Sequence, residues 1–109
     1  MVHDVADFLR GHAPFDTLEP DALDAVAAAA EIEFHPAGGV LIEQGATGTG
    51  HVWVVRTGAV ELLDHGRVLD VLGEGEMLGH PAMLSGLPAE AEARAAEDAL
   101  VYRFPDAAV

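Results

Sequence analysis

A chain of 109 residues, half of them apolar, has enough material for one domain with a single core, and no stretch approaches the roughly 20 uninterrupted apolar residues of a membrane span. Nineteen acidic residues face five arginines and no lysine, a net charge of −14, so polyanions such as DNA, RNA and anionic lipid are repelled. No cysteine is present, which removes disulfides, thiolate catalysis and thiolate metal sites; the start, Met1-Val2-His3-Asp4, lacks the basic opening of an export signal and leads us to expect a cytoplasmic protein.

The first 30 residues read as helical. Val5-Ala6-Asp7-Phe8-Leu9-Arg10 forms a short amphipathic helix, with Gly11 and Pro14 punctuating its end. A second helix opens at Pro20, a residue suited to the first helical position, with Asp21 and Asp24 at the positive end of the dipole. Leu23, Val26, Ala27 and Ala30 share one face of it.

After Glu31 the period changes. Apolar residues fall in short runs around Ile32-Phe34, Val40-Ile42, Val52-Val54, Val60-Leu62 and Val68-Leu72, separated by glycine turns. Many short strands at even spacing predict an antiparallel sandwich or barrel. Asp64-His65-Gly66-Arg67 is a hairpin signal between two such runs. Gly73 to Glu90 breaks the pattern with a glycine-rich strand end, one helical turn around Pro81 to Leu84, and a loop; strands resume at 91–95 and 99–104. The segment has the scaffold of an anion site, in which free N–H groups at a helix start face the ligand. It contains no cation, and it carries Glu74, Glu76 and Glu90.

These motifs together carry a family resemblance. Phe34-His35-Pro36-Ala37-Gly38-Gly39-Val40-Leu41-Ile42-Glu43-Gln44-Gly45, then Val52 to Leu62, then the Gly73–Glu90 cassette resemble the cyclic nucleotide-binding domain family in glycine order and spacing. Phe8-Leu9, Pro14-Phe15 and Leu18-Glu19-Pro20 look like that family's N-terminal helices. The resemblance implies a mainly β fold: an antiparallel eight-stranded β-roll, jelly-roll-like, with short N-terminal helices and one cassette helix. It implies one domain over residues 1–109, helical over 4–30 and a β-roll over 31–104. The string Val68 to Gly73 with Gly79-His80-Pro81 also looks like bacterial signalling proteins in which such a domain precedes CBS-type and nucleotidyltransferase-like domains.

The resemblance also implies where a ligand would sit: Gly79, His80, Pro81, Ala82, Met83, Ala89 and Glu90 line the candidate pocket. In the family's usual cassette a glutamate follows the glycine at position 79 and binds the ribose; here it is His80. An arginine follows the proline at position 88 and pairs with the cyclic phosphate; here it is Ala89. A hydrogen bond to a charged group is worth about 1.5–3 kcal/mol, so loss of that arginine alone weakens binding roughly tenfold to over a hundredfold. Glu90, if about 4 Å from a phosphate, would cost about 1–4 kcal/mol more. His80 is read as a helix cap or pocket filler, with an anion- or pH-sensing donor as the sharper reading. Arg94 is read as a structural residue of the following strand, not as a replacement for the lost cation.

The expectation is therefore a non-catalytic regulatory or sensor module in signal transduction, with weak or no ordinary cAMP or cGMP binding and no cofactor. A pocket for another small molecule, neutral or weakly anionic, is the alternative. A cupin-like metal protein is a distant third, because no His-x-His pair occurs and His35, His51 and His65 fall at turns or strand edges where exposure is the default. Ser85, the single serine, lacks a nucleophile-elbow context, and Gly48-Thr49-Gly50 lacks the lysine of a P-loop. Expected partners are a small-molecule ligand and other domains of the same or another signalling protein, not nucleic acid or membrane; a homodimer is left open.

Overall fold

The computed structural model describes residues 2–12, 15–45, 51–79 and 91–105. Two helices precede eight strands, which pair into two four-stranded antiparallel sheets. The β-roll expected from the sequence is present.

Helix α1 (Val2–Arg10) buries Val5, Ala6 and Leu9, the spacing that puts three side chains on one helical face. Helix α2 (Pro20–Ala29) starts with Pro20 in its first turn, where the missing N–H costs nothing, and buries Leu23 and Ala27 one turn apart. Its C-cap Ala30 is extended and leads directly into strand β1 (Glu31–His35). A short 3-10 turn at Phe15–Thr17 joins the helices and buries Phe15.

The first sheet has the order β1-β8-β3-β6, with β3 at His51–Thr57, β6 at Met77–Leu78 and β8 at Ala99–Pro105. The second has the order β2-β7-β4-β5, with β2 at Val40–Ile42, β4 at Val60–Asp64, β5 at Arg67–Leu72 and β7 at Glu92–Ala95. Alternation assigns each residue of the first sheet a side. Val54, Tyr102 and Phe104 pack against Val5, Leu9 and Leu23 of the helices. Trp53, Val55 and Val101 pack against Ile42, Val60 and Ala93 of the second sheet. The first sheet is thus a shared wall between a helical layer and a sandwich interior.

Turns follow the glycine pattern. The β4–β5 hairpin closes through His65 (φ 49°) and Gly66 (φ 83°), with Asp64 opposite Arg67. Positive φ at both central residues is the requirement of a type I′ turn. Three bulges, at Leu41, Arg56 and Leu69, were not visible in the sequence. The Arg56 bulge brings its guanidinium carbon 4.4 Å from the centroid of the Phe8 ring.

Candidate functional site

The cassette is rooted at the end of β6. Leu78 pairs with Trp53 across the sheet, and Gly79 follows with φ +89°. A β-carbon at Gly79 would lie 2.9 Å from Trp53 Cε3 and 3.0 Å from the His51 carbonyl oxygen. Both the backbone angle and the space therefore demand glycine here. Between Gly79 and Glu92 the chain crosses from the first sheet to the second, because β6 pairs with β3 and β7 pairs with β2 and β4. His80, Pro81, Ala82, Met83, Ala89 and Glu90 lie outside the described residues, as does the expected helical turn.

Beneath that root lies a polar network. Glu33 accepts hydrogen bonds on Oε1 from His35 Nε2 (3.0 Å) and Trp53 Nε1 (3.3 Å). Its Oε2 takes Arg103 Nη1 at 2.9 Å, while Arg103 Nη2 reaches Glu31 Oε2, also at 2.9 Å. The strands set these partners side by side: Glu31 and Trp53 are both register neighbours of Arg103. Burial alone would raise the Glu33 pKa; the hydrogen bonds from His35 and Trp53, with the charges of Arg103 and His35, outweigh it and hold the carboxyl below the ordinary glutamate value. A carboxylate with a lowered folded pKa adds stability above its unfolded pKa, and that contribution is lost as pH falls through the folded value. Glu33→Gln should therefore lower the melting temperature at pH 7 and flatten the loss of stability on acidification below about pH 4.5. Thermal melts from pH 3 to 7 check this; parallel curves for the two proteins would refute it.

His35 was expected to be exposed and is instead half-buried in this network. It closes β1, and the strand direction turns its ring toward Glu33, two residues away on the same side. His65, as expected, is exposed and pairs through Nδ1 with Asp64 at 2.7 Å. Trp53 and Tyr102 are core residues, as their strand settings implied. No cluster of three metal-ligating side chains occurs among the described residues.

All five arginines of the chain are described, and their placement determines which cation an anion could meet. Arg10 pairs with Asp7 on the surface of α1 (2.6 Å), Arg56 with Glu74 (3.3 Å), and Arg103 with Glu31 and Glu33. Arg67 sits at the exposed hairpin opposite Asp64. Arg94 lies directly across from Glu61 in register, with Nη2 3.7 Å from Glu61 Oε1. Its neighbours Ala93 and Ala95 face the interior, so Arg94 faces outward, away from the space between the sheets. It is a structural residue of the outer sheet face, as the sequence indicated. Sequence reasoning missed Glu33 and Arg103; their partners lie 20 and 72 positions away, and no local pattern carries that signal.

Comparison with known proteins agrees with this architecture. The family model described as the cyclic nucleotide-binding domain matches residues 32–109. No curated protein matches the chain. Among solved structures, the chain is similar to the regulatory domain of Toxoplasma gondii PKA in co-crystal with cAMP, at 23% identity and TM-score 0.87, covering 98% of this chain and 42% of that one. It is similar to the regulatory subunit of a cAMP-independent protein kinase A from Trypanosoma cruzi bound to guanosine, at 16% identity and TM-score 0.90, covering 98% and 38%. It is also similar to the sensor domain of the transcriptional regulator DNR from Pseudomonas aeruginosa, at 22% identity and TM-score 0.81, covering 94% and 75%. The chain thus spans about two fifths of each kinase regulatory chain. It has the β-roll, the glycine-rooted crossing between sheets and the matching family model, and it belongs to the cyclic nucleotide-binding domain family.

Proposed function

We propose that this domain is a non-catalytic regulatory module in signal transduction whose pocket does not bind cAMP or cGMP in the family's ordinary way. The observation that carries the reading is the disposition of the arginines. Four of the five are committed to carboxylates, the fifth lies on the exposed β4–β5 hairpin, and there is no lysine. A phosphate bound near Gly79 would have to draw a guanidinium out of an existing pair or recruit Arg67 from the hairpin. Backbone N–H groups alone do not replace a bidentate guanidinium. Ala89 and Glu90 in the cassette sequence support the same reading.

A second reading keeps the pocket and changes the ligand. The Trypanosoma cruzi structure, which shares this fold, is bound to guanosine, a nucleoside that carries no phosphate and asks for no cation. On this reading His80, Ala82 and Met83 would line a site for a neutral molecule. A thermal-shift panel separates the two: cAMP, cGMP, cyclic dinucleotides and guanosine, each at millimolar concentration. Silence throughout is the result expected of a docking module. A shift with guanosine alone supports the neutral-ligand sensor, and a large shift with cAMP at micromolar concentration contradicts both readings.

A further inference from the structure

Two exposed apolar patches remain that neither the core nor the cassette explains. One is on β5, where Val68, Leu69 and Val71 are exposed. Its edge is defended: Leu69 is a bulge residue, and the Asp70 carboxylate accepts the Val71 N–H at 2.8 Å. The other lies on β1 and β8. Phe34 and Leu100 are register partners, and Ile32 is the partner of Tyr102, so all three occupy the helix side of the first sheet. Phe34 is 60% exposed and Ile32 50%, while Tyr102 beside them is covered, its ring meeting Phe8 of α1 edge-on at 5.7 Å. The helical layer thus stops partway across its own sheet and leaves an apolar shelf continuous with it.

We propose that this shelf docks a cationic amphipathic helix of a partner. Three observations select that occupant. The neighbouring cover on this face of the sheet is helical, and a helix about 10 Å wide matches a shelf two strands across. The shelf is rimmed by acids at its Leu100 end, where Glu97 and Asp98 stand immediately before β8 and are exposed. The whole chain carries −14, so a second copy is repelled, whereas a basic segment is drawn in. Apolar anchors would fill the Phe34–Leu100 surface and lysines or arginines would meet the rim. This surface is independent of whatever the pocket binds.

The test uses the intact chain and a fluorescein-labelled Leu/Lys amphipathic helix of about 18 residues, with a scrambled peptide of the same composition, read by anisotropy. The amphipathic peptide should bind, and Phe34→Gln with Leu100→Gln should weaken it about tenfold or more with the thermal transition unchanged. Glu97→Gln with Asp98→Asn should reduce the dependence of affinity on salt between about 50 and 300 mM. Val71→Gln on the other patch should change nothing. Equal binding of the scrambled peptide, or no loss in the Phe34/Leu100 variant, overturns the proposal. So does a concentration-dependent dimer that the Phe34/Leu100 variant abolishes, since the shelf would then be the contact between two copies.

Discussion

Gly58→Ala should destabilise the domain more than any other single methyl addition at a described glycine of the strand region. Gly58 holds φ +87° in the turn between β3 and β4, and a β-carbon there would lie 2.4 Å from the Asp98 carbonyl oxygen and 2.9 Å from Ala99 Cα. Both obstacles are backbone, so no side chain can swing aside. The positive φ alone costs an alanine about 1–2 kcal/mol. The displacement of the β7–β8 turn comes on top and brings the total to about 3 kcal/mol or more. For a domain of this size that is a fall in melting temperature of about 12 °C or more. Gly66→Ala is the control: φ is +83°, yet nothing lies within 4 Å, so only the conformational cost remains. If the two variants melt together, the backbone contact at Gly58 is not what fixes the turn.

Ala89→Arg combined with Glu90→Ser should create cyclic-nucleotide binding where the parent has little. The substitution restores the guanidinium that the family places after the proline at position 88 and removes an adjacent carboxylate. A charge-assisted hydrogen bond contributes about 1.5–3 kcal/mol and removal of the repulsion about 1 kcal/mol or more, so affinity should rise at least about sixtyfold. Calorimetric titration with cAMP reads the gain. A variant that folds like the parent and shows no gain would place the defect in the cradle itself, not in its side chains.

The parts of the fold that were legible in the sequence are those set by local chemistry. Pro20 marks the start of α2 because proline suits only a first helical turn. His65-Gly66 marks the hairpin because both positions need positive φ. Gly79 marks the cassette root because nothing larger fits beside Trp53. The parts that were not legible depend on distant residues. In β1 the usual alternation is inverted: the apolar Ile32 and Phe34 are exposed, while Glu33 and His35 turn inward and are half-buried. A strand read by itself assigns the apolar residues to the core. The inversion makes sense only once Arg103 and Trp53, contributed by two other strands, supply partners for Glu33. The bulges at Arg56 and Leu69 are equally silent, being properties of a pair of strands and not of one.

This inverted strand links the two halves of the functional reading. Its inward side spends Arg103 on Glu31 and Glu33, which takes that guanidinium out of the set a phosphate could recruit. Its outward side leaves the apolar shelf on which a partner could rest. On the proposed reading, a module without the family's usual ligand contacts and with an uncovered apolar face fits a role in relaying or assembling, within the regulatory use of this fold.

Calorimetric titration of cAMP into the unmodified chain tests the central claim most directly. With its cassette arginine replaced by Ala89 and its other arginines placed elsewhere, the domain should show no saturable heat up to about 100 μM nucleotide, a binding energy weaker than about 5.5 kcal/mol. Stoichiometric binding with a sub-micromolar dissociation constant would contradict it, and would require a phosphate site built without a dedicated guanidinium.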